Sequence, residues 1–542
     1  MTRLLVVGLD GGTDAVIGQA DANLPNMAAI RAEGASASLR STVPPITAAA
    51  WPSMMTGWNP GRHGMYDFRT LGIERYSRLW GAGHSASFED GRDFVTSRRW
   101  SGAAFWDRVE GRVAVLSVPM TYPAWPVNGR MVSGFPLPSY DRNHTEPPEL
   151  AGDLPPLLHF ADRIGKLSDE QLAESCMELI ERQREIVMRW LREDEYEVVV
   201  AVFQSTDFAQ HRLWKYLDRP GHPLREALLE MYRAIDRMVG EARALLGEGA
   251  AVAVVSDHGF GPHPTSFVRT DSVLQQAGLL VAGGGAGGGE GITRALRRTP
   301  ALRRVLRKAV GRLPGAVRDR LAARATGTSR VRWEQTSAYR IPLYPPAEGV
   351  VVNLRGRQAE GSVEAGDPYE RVRDRVIETF QQLRDPATGE PVVQWARRRE
   401  QLYSGGHLEE APDVVVLFDP RYKGASGLGE GFERVPGQIL DSYSGVHAME
   451  GVFAIAGTGV RRGVDLGTRQ IVDVAPTLLA LIGLPVPSDT DGTVMSEALS
   501  DPAAVHEGEA SYDQRVDGEQ PALTAEEEAT LEASLRSLGY LE

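Results

Sequence analysis

Apolar, β-favouring runs recur along the chain, each closed by a polar or glycine-rich turn and followed by a helical pattern. They are LLVVGLD near the N-terminus, VAVLSVP at Val113 to Pro119, EVVVAVFQSTD at Glu197 to Asp207, AAVAVVSDHG at Ala250 to Gly259 and GVFAIAG at Gly451 to Gly457. Runs that are apolar on both faces and alternate with helices predict a mainly parallel central sheet with helices on both faces, the α/β class. The intervening helices are legible. Leu224, Leu228, Met231, Ile235 and Met238 advance by four and three, so they form one buried stripe with Arg and Glu opposite. Asp473 ahead of VAPTLLALIGLP reads as an N-cap, an early proline, an apolar helix and a glycine stop. Thr524 and Glu527 stand at capping-box spacing before a docked terminal helix.

Two stretches break the rhythm. Residues from about 68 to 111 are rich in Ser, Gly, Arg and aromatics without a period, and a long excursion separates two core strands. The expected organisation is therefore a core, first part, over 1–263 with a cap-like excursion at 68–111, an inserted cap domain over 264–437, a second core part over 438–500 and a tail with its helix over 501–542. The cap contains a flexible linker, GGGAGGGEG, at Gly283 to Gly291. It also contains ALRRVLRKAVGRL, which sets Leu302, Val305, Leu306, Ala309 and Leu313 on one helical face and arginines on the other. That helix reads first as a surface helix packed on the cap, and second as a contact with a membrane surface or polyanion.

Charge and cysteine content narrow the chemistry. The net charge of −13 is uneven, because Arg294 to Arg332 carries thirteen Lys or Arg against Asp319 alone. The rest of the chain is strongly acidic, which argues against a general nucleic-acid binder. Cys176 is the only cysteine, so an intramolecular disulfide and a thiolate-rich metal site are both excluded, and the expected compartment is a reducing cytoplasm. The opening apolar run is too short for a signal segment or a membrane span and reads as a first strand.

In an open parallel sheet, function gathers at the carboxyl ends of the strands. The first strand ends in Asp10, the one at Glu197 is followed by Asp207 and His211, the one at Ala250 ends in Asp257 and His258, and His447 precedes the one at Gly451. Three Asp and three His suffice for two divalent ions. Asp207 and His211, four apart on a helix, share a face, where they can chelate an ion or form a surface ion pair. Asp257 and His258 are adjacent, so both can serve one cluster only if the strand ends there; Gly259 and Gly261 supply the break. Thr47, after Pro-Pro-Ile and before three alanines, is a helix N-cap or an exposed nucleophile, and a hydroxyl needs a base or metal to act as the latter.

Together, GLDGG at Asp10, PPITAAAWPSMMTG at Thr47, PGRHG at Pro60 to Gly64, Asp207 with His211, SDHGFGP and GVHAMEG resemble the alkaline phosphatase superfamily. They are most similar to its type I phosphodiesterase/nucleotide pyrophosphatase branch, in order and separation across about residues 1 to 500. The resemblance implies a dizinc phosphoryl-transfer enzyme. One zinc would be held by Asp207, His211 and His447, and the other by Asp10, Asp257 and His258 with Thr47 as alkoxide nucleophile. Reaction would pass through a phosphothreonine. Mixed Asp and His ligation suits zinc, while manganese or iron tolerate the same ligands.

One position departs from the pattern. Nucleotide pyrophosphatases carry an Asn three residues after the nucleophile, and here Ala50 stands there beside Trp51. Ala50, Trp51, Arg62, His63 and His263 are the candidate substrate contacts. The expected activity is phosphodiester or pyrophosphate hydrolysis of a small phosphate ester. The alternatives are a phosphomonoesterase or phosphomutase of the same superfamily, whose cations the cap arginines would supply, and a non-catalytic protein tethered to lipid headgroups by the basic helix. A dinucleotide-binding fold is disfavoured, since GLDGGTDAVIG lacks the G-x-G-x-x-G spacing and Asp10 would face a pyrophosphate.

Overall fold

A computed structural model of the chain describes residues 3–74, 93–138, 142–155, 157, 161–193, 195–282, 331–502, 505–510, 523–538 and 540. Its centre is a nine-stranded sheet. In spatial order the strands are Val464–Gln470, Ala35–Arg40, Glu450–Gly457, Ala251–Val255, Leu4–Leu9, Val198–Phe203, Val113–Val118, Gly129–Ser133 and Thr145–Glu146. The middle five, from Ala251–Val255 to Gly129–Ser133, are mutually parallel, and all residues of the three strands Leu4–Leu9, Val198–Phe203 and Ala251–Val255 are buried. Such strands need cover on both faces. Long helices supply it, among them Asp169–Glu193 and Pro223–Leu246, which pack on each other. Leu224, Leu228, Met231, Ile235 and Met238 are all buried along the second of these.

Two features of this sheet depart from the reading of the sequence as a run of parallel strands. Glu450–Gly457 lies antiparallel to both of its neighbours, because the chain re-enters the sheet at the carboxyl ends of the parallel strands, the end at which Ala251–Val255 left it. Ala35–Arg40, with the sequence ASASLR, is a sheet strand that its small residues conceal; its burial alternates residue by residue, as one half-covered face requires. Asp473 also differs in detail. It precedes the helix Val474–Leu481 but makes no cap bond to it, and its carboxylate instead accepts from the amides of Gln470 and Thr493 at 2.9 and 2.8 Å.

Beyond residue 264 a second sheet, antiparallel, takes the order Ala338–Pro342, Ala347–Val352, Val414–Phe418, Val393–Arg398. The helix Asp367–Gln381 covers one face through Val376 and Phe380. Tyr66, Leu71 and Ile73 cover the other, packed with Tyr339, Val351 and Tyr403. The aromatics that gave the 68–111 stretch its irregular look are core residues: Phe68, Trp100, Phe105 and Trp106 are all but fully buried in the main core. The Gly-rich linker, the basic helix of residues 302–313 and residues 75–92 lie outside the described residues. Thr524 and Glu527 form the capping box of the terminal helix Ala525–Ser537. Among the described residues no helix is long and apolar enough to cross a membrane.

Candidate active site

The three central strands end side by side. In register, Gly8 pairs with both Val202 and Val255, so the segments that follow leave the sheet at one level. Asp10 comes one residue after its strand. Asp207 and His211 sit on the helix Ser205–Leu213, which starts two residues after Phe203 and turns both side chains to one face. Asp257 and His258 occupy the bend after Val255. The chain then resumes as Gly259–Pro262, paired antiparallel with Gly445–Ala448, and this ribbon sets His447 across from Phe260. Gly259 is needed for close approach: a Cβ there would lie 2.0 Å from the carbonyl oxygen of Glu450.

The helix Thr47–Thr56 begins at Thr47 itself, and the residue in the capping position is Ile46. The Thr47 hydroxyl is therefore not spent on a cap. Its Oγ lies 3.4 Å from Asp10 Oδ1, 3.3 Å from His258 Nε2 and 3.3 Å from the Tyr540 hydroxyl. His258 Nε2 lies 3.2 Å from Asp257 Oδ2 and 3.6 Å from Asp10 Oδ1. Asp207 is flanked by His211 Nε2 at 3.4 Å and His447 Nε2 at 3.0 Å. Thr47, Asp10, Asp207, His211, Asp257, His258 and His447 are each at most 2% exposed.

Hydrogen bonding orients every imidazole the same way. Nδ1 of His211 faces the Gly445 carbonyl at 3.1 Å, that of His258 the Gly259 carbonyl at 3.0 Å, and that of His447 the Pro45 carbonyl at 2.7 Å. A carbonyl only accepts, so each Nδ1 donates and each Nε2 is turned inward, the usual tautomer of a metal-ligating histidine. Nε2 of His211 and of His447 face each other at 3.2 Å, where at most one can carry a proton toward the other.

Electrostatics make this cluster costly without a cation. Burial drives the Asp10 carboxyl well above the ordinary range, and its neighbours Asp257 and Asp207 push it further. Burial does the same to Asp257, against the Gly11 amide that donates to its Oδ1 at 3.1 Å. At Asp207 burial also opposes ionisation, but the two adjacent imidazoles outweigh it and hold the carboxyl well below the ordinary range. His258 and His447 are both lowered, chiefly by burial. Asp207 Oδ1 and Asp257 Oδ2 are buried with no donor aligned on them, despite imidazole nitrogens within 3.2 Å. Buried acceptors converging without donors fit divalent cations. Among the described residues two groups qualify, each with its ligand atoms within 4.8 Å of one another: Asp207, His211 and His447, and Asp10, Asp207 and His258. Asp207 belongs to both, and Asp257 adjoins the second through His258. The donors are carboxylate oxygen and imidazole nitrogen, the set that zinc, manganese and iron accept.

The remaining sequence candidates are placed as follows. Trp51 is fully buried and donates from Nε1 to Asp10 Oδ2 at 3.1 Å, so it holds a carboxylate in place. Gly8 makes room for it, since a Cβ there would stand 2.5 Å from the indole. Ala50 is fully buried in its helix. Arg62 is paired with Asp489 at 3.0 Å and stacked over Trp58, and His63 is buried 2.8 Å from Ser53 Oγ. The structure does not bring either together with Thr47. His263 lies at the margin, beside the ring of Tyr443, whose hydroxyl is 3.3 Å from His211 Nε2. Sequence reasoning missed Tyr344, Tyr443 and Tyr540. The Tyr344 ring lies tilted against His447 at 4.2 Å, and the Tyr540 hydroxyl donates to Asp207 Oδ2 at 2.7 Å. No local pattern marks them, for each arrives from a loop or from the tail.

A buried carboxylate and imidazole cluster beside a hydroxyl, at the carboxyl ends of a parallel sheet, defines a metal-dependent hydrolase class. The chain belongs to the type I phosphodiesterase/nucleotide pyrophosphatase family, whose model matches residues 4–438, and it is accordingly a phosphoric ester hydrolase. Human ectonucleotide pyrophosphatase/phosphodiesterase 5 aligns at 12% identity and a TM-score of 0.48, covering 92% of this chain and 100% of its own. The murine protein of that name aligns at 12% identity and a TM-score of 0.46, covering 90% and 96%. Among curated proteins no relative matches the chain.

Proposed function

We propose that the chain hydrolyses small phosphodiesters or nucleotide pyrophosphates with Thr47 as nucleophile, at a site that holds two divalent ions, zinc in preference to manganese or iron. The observation that carries this reading is the Thr47 hydroxyl, left uncapped and set 3.4 Å from Asp10 Oδ1 and 3.3 Å from His258 Nε2. Asp207, His211 and His447 would hold one ion, and Asp10, Asp257 and His258 the other, with Asp207 in reach of both. When bound, such ions neutralise charge on the entering and leaving oxygens.

The protein's own groups do the rest. Asp10 Oδ1 and His258 Nε2 would be engaged in holding the second ion, whose charge would lower the pKa of the adjacent Thr47 hydroxyl, and the proton would pass to solvent before attack. A P–Oγ bond forms as the ester P–O bond breaks, and the departing alcohol or phosphate leaves with a proton. Water then cleaves the P–Oγ bond and restores the hydroxyl. The helix Thr47–Thr56 sets its positive end toward the charge that develops on phosphorus. Trp51 keeps Asp10 oriented throughout. Asp10 and His258, which flank Thr47 Oγ, bring no fixed positive charge, a setting that suits a singly charged diester better than a doubly charged monoester.

Steady-state rates on bis-p-nitrophenyl phosphate, p-nitrophenyl phosphate and the p-nitrophenyl ester of thymidine monophosphate test the proposal. Activity should require added zinc, manganese or iron and favour the two diesters. Thr47→Ala should lower it by at least about 10³-fold, and protein quenched during turnover should carry a phosphate on Thr47 by mass spectrometry. Retained activity in Thr47→Ala rules the nucleophile out, and preference for the monoester selects the phosphatase alternative.

A further inference from the structure

Past the terminal helix, Tyr540 enters the site. The terminal helix Ala525–Ser537 packs on Ala161–Lys166, Glu532 lies 3.8 Å from Arg69, and Leu535 and Leu538 are buried in the main core. Two residues on, the Tyr540 ring is edge-on to Phe68 at 4.8 Å and to His211 at 5.6 Å, and it tilts against Tyr344 at 5.7 Å. Its hydroxyl donates to Asp207 Oδ2 at 2.7 Å and meets Thr47 Oγ at 3.3 Å.

That position is the one a substrate needs. In-line attack brings the phosphorus within about 3–3.5 Å of the nucleophile. Of the three side-chain atoms bonded to Thr47 Oγ, two belong to Asp10 and His258, and the third is this phenol oxygen. The same oxygen reaches Asp207, so it spans the gap between Thr47 and the Asp207, His211 and His447 group that the departing oxygen must approach. The surrounding slot is aromatic, made by Phe68, Phe135, Tyr344, His211 and His447 around the Tyr540 ring. With the phenol in place, Thr47 has no exposed surface, and a phosphoester cannot reach it.

We infer that the C-terminal segment is an intrasteric inhibitor: Tyr540 occupies the leaving-group subsite as a stand-in for an aryl ester, and turnover requires the tail to withdraw. The inference rests on Thr47 being the reacting group, as proposed above. A segment that fills the site in most molecules lowers apparent substrate affinity by the fraction of molecules left open.

The test compares the full chain with Tyr540→Ala and with a chain ending at Leu538, which retains the buried Leu535 and Leu538. If the tail fills the site nine-tenths of the time, both changes should raise kcat/KM for bis-p-nitrophenyl phosphate about tenfold, through KM with kcat unchanged. The hexapeptide Ser-Leu-Gly-Tyr-Leu-Glu, the last six residues, should inhibit the shortened enzyme competitively. A second readout needs neither metal nor turnover. After chelator treatment, the fluorescently labelled hexapeptide should bind the shortened protein, and the full chain should bind it at least about tenfold more weakly, by anisotropy. Unchanged or reduced kcat/KM in variants whose melting matches the full chain, or equal peptide binding to both proteins, overturns the inference. Activity surviving Thr47→Ala would instead remove the nucleophile, an outcome that leaves the peptide measurement to decide what the tail occupies.

Discussion

Two regions of this protein treat buried charge in opposite ways. In the antiparallel sheet beyond residue 264, Arg340 meets Glu348 through two bonds of 3.1 and 3.0 Å. Asp413 there accepts from Arg357 at 2.8 and 2.5 Å, from the Val352 amide at 2.7 Å and from the Tyr369 hydroxyl at 2.6 Å. Every oxygen of these two carboxylates has a donor. At the carboxyl ends of the central strands, Asp207 and Asp257 are equally buried, yet each keeps an oxygen with no donor aligned on it. Complete pairing marks a carboxylate that holds a structure together, and incomplete pairing marks one that awaits a cation.

Substitution can break this contrast. Asp257→Asn should cut diester turnover by at least about 10³-fold while leaving the melting temperature of the chelated protein unchanged or higher, because it deletes an unpaired buried charge. A parallel loss of folding would place Asp257 with the structural carboxylates. The reverse is expected of Asp413→Asn: a loss of about 3–5 kcal/mol in unfolding free energy, measured by denaturant titration, with metal content per folded chain unchanged.

Asp271 sharpens the comparison from between the two extremes. Its Oδ2 accepts from the Gly427 amide at 2.6 Å while Oδ1 has no donor, and burial pushes its pKa up to about 7 although Arg340 opposes the rise. The folded value lies above the unfolded one, so the folded protein binds the extra proton. The associated stability is complete below about pH 4 and is lost as pH rises through about 7. The slope in that window is at most about 1.4 kcal/mol per pH unit. Asp271→Asn should flatten the profile, and an unchanged profile would show that Asp271 ionises freely in the fold.

Much of this site is legible in the chain itself. Asp10, Asp207, His211, Asp257 and His258 follow apolar runs whose burial on both faces predicts parallel strands, and such strands deliver their following residues to one edge. Asp207 and His211 share a helix face by their spacing alone. Other parts are not legible, for identifiable reasons. ASASLR is too weakly apolar to announce a strand, and its place between Val464–Gln470 and Glu450–Gly457 comes from pairing rather than propensity. Trp51, Arg62 and His63 are plausible substrate contacts by type, but their partners are Asp10, Asp489 and Ser53, and no spacing rule foretells a pairing across 427 positions such as that of Arg62 with Asp489.

The order of residues thus determined the kind of chemistry available: hard oxygen and imidazole ligands, a single cysteine, and a hydroxyl at the start of a helix. These follow from composition, periodicity and short spacings, which are local. Tertiary structure alone decided that three Nδ1 atoms donate to the carbonyls of Pro45, Gly259 and Gly445, that Asp207 serves both groups of ligands, and that a tyrosine 493 positions beyond Thr47 comes to rest against its hydroxyl. Each of those depends on where a distant segment of backbone is held by the packing of the core, and that packing is a property of the whole chain.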